Sequence, residues 1–138
     1  MSTSTTRHKV ADVMLSPERF AVVREKTFLK ATLAEMTRCK LGIACVVDDE
    51  GKLVGIFTDG DVRRMLLRDQ KPFSALFADD IVRHVTRHPA TVRHDATLES
   101  AIALMEKKQI WDLPVVNGEQ KLVGLLHLHP AIKAVLGL

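Results

Sequence analysis

The sequence predicts an α/β (α+β) fold made of two tandem β-α-β-β-α repeats. The first reason is an internal repeat: when the chain is shifted by 69 positions, residues 23–67 align on residues 92–136 with 13 identities and no gap. The second reason is that each copy alternates between a helical stripe of apolar residues and short strand-like runs. Hydrophobic residues make up 46% of the 138 residues and charged residues 27%, which is typical of a globular protein.

Each repeat opens with a short extended segment, at residues 20–23 in the first copy and 90–92 in the second. The segment that follows is amphipathic, because its apolar side recurs at positions i, i+3, i+4 and i+7. The residues on this stripe are Leu29, Thr32, Leu33 and Met36 in the first copy, and Leu98, Ala101, Ile102 and Met105 in the second. The pattern predicts one helix per copy with one buried face.

Two strands and a second helix complete each repeat. An apolar run of four or five residues is too short for a helix and predicts a buried strand, and a polar turn separates this strand from the next. The predicted elements are strands at residues 43–47 and 53–57 with a helix at 61–68 in the first copy, and strands at 113–116 and 122–126 with a helix at 130–136 in the second.

The repeat also predicts the domain boundaries. We expect a flexible tail or linker remnant at residues 1–9, the first repeat at 10–70, a connector at 71–79 and the second repeat at 80–138. One such unit with three strands cannot cover both faces of its sheet alone. We therefore expect the two repeats to pack together with pseudo-twofold symmetry and to form two related clefts.

Composition and charge argue against several classes of protein. The 20 Lys and Arg residues against 17 Asp and Glu give a net charge of +3, far from the dense basic surface of a nucleic-acid binder, and the five Phe and one Trp offer few stacking platforms. No run approaches the roughly 20 apolar residues that span a bilayer, and the amino end lacks the apolar stretch of a signal peptide. We expect a soluble cytoplasmic protein that binds neither nucleic acid nor membrane.

The sequence does not contain a recognisable catalytic pattern. Gly-x-Ser-x-Gly and His-Glu-x-x-His are both absent, so we assign no catalytic residue and do not expect an enzyme. Cys39 and Cys45 are the only cysteines, too few for a disulfide framework. Cys45 lies inside an apolar run, which predicts a small buried thiol.

The segment Gly-Ile-Phe-Thr-Asp-Gly-Asp, at residues 55–61, carries the strongest functional signal. Thr58 followed three residues later by Asp61 is the pattern of a capping box, in which both side chains satisfy backbone amides at a helix start. The same geometry suits a ligand, since a helix N-terminus attracts an anion and a carboxylate there can accept both hydroxyls of a ribose. Arg63 and Arg64 follow, either as solvated helix charges or as phosphate contacts. Both interpretations remain open at this point.

With the paired Leu-Val-Gly strands of its two β-α-β-β-α units and the Gly-x-x-Thr-x-x-Asp end of the first copy, the chain from residue 10 to residue 138 resembles a tandem CBS-domain pair, or Bateman module. Such modules sense a ligand and adjust an attached enzyme or transporter. In that family the Thr and the Asp contact the ribose of a nucleotide, which the resemblance implies for Thr58 and Asp61. Backbone and apolar groups of two strands hold the base, and the corresponding positions are Val22, Val23, Ile43 and Ala44.

CBS pairs often dimerise through helix faces, and the resemblance therefore implies a homodimer. The candidate apolar stripe for this contact consists of Met65, Leu66, Ala131, Ile132 and Val135.

A closer resemblance is to the C-terminal regulatory region of bacterial arabinose 5-phosphate isomerases. It is carried by Lys-Leu-Gly-Ile at residues 40–43, by residues 55–64 and by residues 122–129. Those enzymes interconvert ribulose 5-phosphate and arabinose 5-phosphate for the synthesis of Kdo, a sugar of lipopolysaccharide. Their catalysis is attributed to an N-terminal sugar-isomerase domain, to which nothing here corresponds.

The resemblance implies a regulatory module whose partner is that sugar-isomerase domain. It implies no required cofactor, and a bound ligand that is AMP, ATP or the pathway's end product, cytidine-monophosphate Kdo. Two alternatives are a CBS pair attached to a sugar-phosphate nucleotidyltransferase and a purely structural dimerisation module.

The second copy departs from the motif. His127 stands where the first copy has Thr58, and Pro130 stands where it has Asp61. Proline is tolerated in the first turn of a helix, so the fold should survive while the ribose carboxylate is lost. We therefore expect one competent nucleotide site.

Two imidazoles and one indole lie in or near this altered motif. His127 and His129 alternate on a predicted extended segment and would share a face, where they could contact a sugar or phosphate, bind zinc or serve only the structure. Further metal ligands are not visible nearby, so we assign no metal. Trp111 is expected to pack between the units, with base stacking as the alternative.

Overall fold

The computed structural model describes residues 8–137, and its strands and helices follow the order that the repeat predicts. In chain order the elements are α1 (Val10–Val13), β1 (Ala21–Arg24), α2 (Leu29–Cys39), β2 (Ile43–Val47), β3 (Leu53–Thr58), α3 (Asp59–Arg68), α4 (Phe73–Phe77), β4 (Thr86–Arg87), β5 (Val92–Arg93), α5 (Leu98–Lys108), β6 (Asp112–Val116), β7 (Leu122–His127) and α6 (Leu128–Leu136). The predicted α/β fold with two tandem repeats is confirmed.

The chain forms two compact units that exchange their leading segments. The first unit is Glu18–Pro89, and the second joins residues 90–137 to residues 8–17. These limits differ from the repeat boundaries read from the sequence, which place residues 10–17 with the first copy and 80–89 with the second. The reason is backbone pairing, because Leu15 and Leu125 of β7 exchange N–H···O bonds of 2.8 and 3.1 Å while β4 pairs with β3. Each leading segment thereby covers the open edge of a strand.

The first unit is built on a four-stranded sheet. The strand order is β1-β2-β3-β4, with β1 parallel to β2 and the other pairs antiparallel. One face of this sheet packs against α2, α3 and α4. The buried residues of this core include Ala21, Val23, Ala44, Val46 and Phe57 from the strands, and Leu29, Met36, Met65 and Leu76 from the helices.

The second unit has a three-stranded sheet in the order β5-β6-β7, with a parallel and then an antiparallel pair. Its core is formed by Val10, Leu98, Ala101, Met105, Leu113, Val115, Leu126 and Ala131. Val10 is fully buried here, so α1 belongs to this core although it precedes the first repeat in the sequence.

The helix ends follow local backbone chemistry. The C-cap residues Lys40, after α2, and Gln109, after α5, both adopt the left-handed conformation that commonly terminates a helix. α3 and α6 begin two residues earlier than predicted, because Asp61 and Pro130 occupy the third position of the first turn rather than the first. The connector contains α4, a helix of five residues that is too short for periodicity to predict.

Buried ionic contacts hold the end of the connector against α3. Asp79 and His84 are each 8% exposed. Asp79 Oδ2 lies 2.9 Å from His84 Nε2 and 2.8 Å from Lys71 Nζ. Hydrogen bonds from Lys71 and His84 lower the pKa of Asp79. The other ring nitrogen of His84 lies 3.2 Å from Arg68 Nη2 in the last turn of α3, so these contacts fix the chain two residues before β4 begins.

Two expectations from composition can be compared with the structure. Cys39 and Cys45 are both thiols, and the prediction that Cys45 is buried is confirmed, since it has no exposed surface. Within residues 8–137, no helix has both the length and the apolar character needed to cross a membrane.

Candidate functional site

Thr58 and Asp61 form the capping box that the sequence predicts at the start of α3. Thr58 is the N-cap, and its Oγ1 accepts the backbone N–H of Asp61 at 3.3 Å. Asp61 Oδ2 in turn accepts the backbone N–H of Thr58 at 2.9 Å and its hydroxyl at 3.0 Å. The end of β3 and the first turn of α3 are therefore locked together by these two side chains.

The other carboxylate oxygen of Asp61 is also fully engaged. Its Oδ1 accepts hydrogen bonds from Arg64 Nη2 at 2.7 Å and from the Thr86 hydroxyl at 2.9 Å. Burial raises the pKa of Asp61, but the hydrogen bonds from Arg64, Thr58 and Thr86 outweigh this effect and hold the pKa below its usual range. Asp61 is therefore an ionised, oriented carboxylate with only 8% of its side chain exposed.

The sheet separates the four predicted base-site residues into two groups. Val22 pairs with Cys45, and Ile43 pairs with Thr58. Directly paired residues share a face, and so do residues two apart on one strand, so Val22 and Ile43 lie on the same face as Thr58. Val23 and Ala44 belong to the helix-covered core on the other face. Their side chains are turned away from Thr58, and only their backbone could reach a ligand beside it.

The two arginines of α3 differ in their surroundings. Arg64 forms the ion pair with Asp61, although 65% of its side chain remains exposed. Arg63 is also exposed, and it takes no part in the hydrogen bonds to Asp61. Of the two predicted phosphate contacts, the structure connects Arg64 directly to the box.

The second repeat has a different arrangement at the same place. His127 is the N-cap of α6 but makes no side-chain capping bond. Instead its Nδ1 lies 2.7 Å from Asp112 Oδ1, across the β6–β7 pair. Burial raises the pKa of Asp112, and the contact with His127 opposes the rise. The aspartate–histidine pair replaces the Ile43–Thr58 pair of the first copy.

The expectation that His127 and His129 alternate on one strand is wrong. β7 ends at His127, and His129 lies in the first turn of α6, because the helix starts immediately after its N-cap. Both imidazoles nevertheless line a hollow of about 470 Å³ together with Trp111, Leu128 and Ile132. Trp111, whose packing between the units stays a prediction, is 69% exposed.

Metal-ligating side chains are not clustered in the described part of the chain. Among residues 8–137, no three His, Cys, Asp or Glu side chains come close enough together to hold a metal ion.

Thr86 is the contact that sequence reasoning missed. It lies in β4, 25 residues from Asp61, and reaches it only because β4 pairs with β3. The internal repeat does not predict this contact. The residue that pairs with β7 as Thr86 pairs with β3 is Leu15, which has no hydroxyl.

The helix stripe predicted for dimerisation is only partly at the surface. Met65 is 3% exposed and Ala131 is fully buried, because both face the core of their own unit, so their assignment to an interface is wrong. Leu66 and Ile132 remain 47% and 38% exposed.

Curated relatives match most of this chain. Arabinose 5-phosphate isomerase KdsD of Pseudomonas aeruginosa is 40% identical over 128 residues, which cover 91% of this chain and 37% of that protein. KdsD of Yersinia pestis is 32% identical, with the same two coverages. An uncharacterized protein of Helicobacter pylori is 36% identical over 91% of this chain and 36% of its own length. The chain thus spans little more than a third of the length of these relatives.

Solved structures match the whole fold. CBSX2, a CBS-pair protein from Arabidopsis thaliana, in complex with AMP has a TM-score of 0.81 and 28% identity, covering 94% of this chain and 97% of that one. The CBS domain pair of MJ0100, in complex with methylthioadenosine and S-adenosylmethionine, shares the fold with a TM-score of 0.77 and 22% identity, covering 94% and 96%. The model of the CBS domain matches residues 10–68 and again residues 78–136. This chain is a tandem pair and belongs to the CBS-domain family.

Proposed function

We propose that this CBS pair is a regulatory module that binds a nucleotide or sugar nucleotide at the Thr58–Asp61 end of the first repeat. In this proposal Thr58 and Asp61 contact the ribose, and the sheet face that carries Val22 and Ile43 contacts the base, with the backbone of Val23 and Ala44 available beside it. The N-terminus of α3 favours the phosphate. AMP, ATP and cytidine-monophosphate Kdo are the candidate ligands.

One observation carries the proposal: the second repeat forms the same helix without the box. α6 starts at the position equivalent to α3, yet it has no side-chain capping bond and has Pro130 in place of the carboxylate. The fold therefore does not require Asp61 at this position. Its presence in one copy, ionised and oriented, supports a ligand-binding role there and one nucleotide site per chain.

The class of ligand is supported by a structural relative. CBSX2, which is 28% identical to this chain, has been solved with AMP. The imidazoles of His127 and His129 could contact a sugar or phosphate from the second repeat, but they do not reproduce the diol-binding carboxylate. A module that reads nucleotide concentration would act in the cytoplasm.

We propose that the regulated partner is a sugar-isomerase domain of an arabinose 5-phosphate isomerase. The KdsD relatives support this, because the matched region is 37% of their length and leaves room for a catalytic domain. Binding can shift that enzyme only if the ligand prefers one conformation of the module over another.

The experiment that tests the nucleotide site is calorimetric titration of AMP, ATP, CMP and cytidine-monophosphate Kdo into this chain. Each ligand that binds is repeated with its 2′-deoxy analogue and with the Asp61→Asn variant. A diol contact to Asp61 predicts at least about a tenfold loss of affinity in Asp61→Asn, since a hydrogen bond to a charged group contributes about 1.5–3 kcal/mol. The same contact predicts that the 2′-deoxy ligand binds the parent chain more weakly than the intact ligand does. It also predicts that Asp61→Asn causes no further loss of affinity for the deoxy ligand.

A matched control is Asp49→Asn, which removes an exposed carboxylate from the turn between β2 and β3. It should leave the affinity unchanged, and circular dichroism should show that both variants are folded. If no ligand binds at millimolar concentration, or if Asp61→Asn binds as tightly as the parent, the box is only a helix cap and the module serves assembly.

A further inference from the structure

We propose that Arg64 makes the site selective for phosphorylated diols. In the structure Arg64 pairs with Asp61, and on ligand binding it exchanges that carboxylate for the ligand's phosphate, so that an unphosphorylated nucleoside is disfavoured. The proposal rests on the proposed nucleotide site, and it adds which residue sets the ligand class.

Asp61 has no acceptor position left for a ligand hydroxyl. A carboxylate offers about four lone-pair directions. Thr58 fills both on Oδ2, through its N–H at 2.9 Å and its hydroxyl at 3.0 Å. Arg64 and Thr86 fill both on Oδ1, at 2.7 and 2.9 Å. A ligand that hydrogen bonds to Asp61 must therefore displace one of these donors.

Arg64 is the donor that can leave without disturbing the fold. Thr58 is held by the capping box, where its Oγ1 also accepts the Asp61 N–H. Thr86 is held by the pairing of β4 with β3. Arg64 has 65% of its side chain exposed, against 8% for Asp61, and moves by rotation about its own side-chain bonds. Its departure opens one position on Oδ1.

The departing guanidinium needs a new anion. Loss of this cation is unfavourable for the buried Asp61 carboxylate, and a neutral hydroxyl does not replace the lost charge. A phosphate restores a charged partner to Arg64, with a geometry that suits guanidinium. Such a ligand gives Arg64 a new ion pair that offsets part of the loss at Asp61, whereas a nucleoside leaves both groups without an ionic partner.

The guanidinium already lies where a phosphate is favoured. A Cβ built on Gly60 would be 3.4 Å from both Nη1 and Nη2 of Arg64, so the group lies over the first turn of α3. Backbone amides at the start of a helix attract anions. Arg64 therefore has both a carboxylate and a phosphate position within reach.

The second repeat lacks the glycine and the carboxylate of this exchange and has an amine in place of the guanidinium. The positions equivalent to Gly60, Asp61 and Arg64 are His129, Pro130 and Lys133. α6 nevertheless forms, so a helix can begin at this place without the three residues of the first repeat.

The test compares nucleotide with nucleoside. AMP against adenosine, and CMP against cytidine, are titrated calorimetrically into the parent chain, Arg64→Gln and Arg38→Gln. Arg38 is an exposed arginine of α2 paired with Glu35, so its variant removes the same charge away from the site. We expect the parent and Arg38→Gln to prefer the nucleotide by at least about tenfold, the effect of one charge-assisted bond. In Arg64→Gln the nucleotide should bind about tenfold more weakly and the nucleoside more tightly.

The outcomes separate this proposal from the one it rests on. An unchanged nucleotide-to-nucleoside ratio in Arg64→Gln, with binding still dependent on Asp61, overturns the role of Arg64 and leaves the nucleotide site standing. The same conclusion follows if a nucleoside binds the parent chain as tightly as its nucleotide. If neither AMP nor CMP binds the parent at millimolar concentration, both proposals fail together.

Discussion

Asp61 belongs both to the capping box of α3 and to the proposed ligand site. Four donors keep it charged in a position where only 8% of its side chain reaches solvent. Three of these donors come from its own helix and its N-cap, and the fourth comes from β4. Its contribution to stability should therefore depend on pH in a direction that can be worked out.

We predict that Asp61→Asn lowers the free energy of unfolding by about 1–3 kcal/mol at neutral pH. The native pKa of Asp61 is depressed relative to the unfolded chain. The unfolded value lies near 3.9, so the stabilisation is complete well above that value and is lost as the pH falls through the native pKa. Urea unfolding of both proteins at pH 7, 5 and 3 measures this difference.

The gap between the parent and Asp61→Asn should shrink from pH 5 to pH 3. Asp49→Asn is the control, since the Arg24–Asp49 pair is exposed and should contribute little at any pH. A gap that stays constant from pH 7 to pH 3 would mean that ionisation of Asp61 does not stabilise the fold.

At the scale of elements, the position of β4 depends on a glycine. A Cβ on Gly55 would lie 2.6 Å from the carbonyl oxygen of Thr86 and 3.0 Å from a methyl group of Val85. Gly124 of β7 has the same relation to residues 14 and 15, with the Leu15 oxygen at 2.9 Å. In both repeats a glycine lets the leading segment lie close to the sheet: Gly55 makes room for β4 beside β3, and Gly124 makes room for residues 14 and 15 beside β7.

We predict that Gly55→Ala destabilises the protein by about 1–3 kcal/mol, because backbone must move to relieve the contact. Gly118→Ala is the control, because its new Cβ would meet only the flexible end of Arg93 at 3.4 Å. Equal stability of the two variants in urea would refute the close-approach argument.

At the scale of the whole molecule, the order along the chain is not the order of packing. α1 precedes the first repeat but contributes Val10 to the core of the second unit. A substitution near the amino end should therefore loosen the strands nearest the carboxyl end.

We predict that Val10→Ala lowers the free energy of unfolding by about 1–3 kcal/mol and that it loosens the second unit. Fluorescence of Trp111, the chain's single tryptophan, and hydrogen exchange of β6 and β7 report on that unit. The exposed Ala11→Ser change is the control. Loss of protection in β2 and β3 alone would contradict the packing of α1 described above.

We further propose that the chain forms a homodimer through the exposed leucines and isoleucine of α3 and α6. The side chains available for this contact are Leu66, Leu67, Ile132 and Leu136. An isologous contact is the common arrangement when exposed apolar helix residues pair in a dimer. Sedimentation should show a dimer that Leu67→Glu weakens and the exposed Thr37→Ala of α2 does not, and a monomer at the highest concentrations would exclude this interface.

The repeat and its periodicity were sufficient to predict the two-copy fold, the main strands and helices and the capping box, because these depend on residues close together in the chain. Burial of Cys45 was predictable for the same reason, since a continuous apolar run leaves a strand no exposed face. The loss of the motif in the second copy was likewise visible as His127 and Pro130. Periodicity did not reveal α4, because five residues are less than two helical turns.

Only the tertiary structure decided which segments complete which unit and which donors fill Asp61. Edge pairing of β4 and of Leu15 joins residues that are far apart in sequence, and no local pattern encodes a partner at that distance. The faces of Val22 and Val23, the burial of Met65 and Ala131, and the contact from Thr86 all depend on that pairing and on what the helices cover. The sequence by itself determined the chemistry available at the end of β3, and the long-range pairing decided how that chemistry is held.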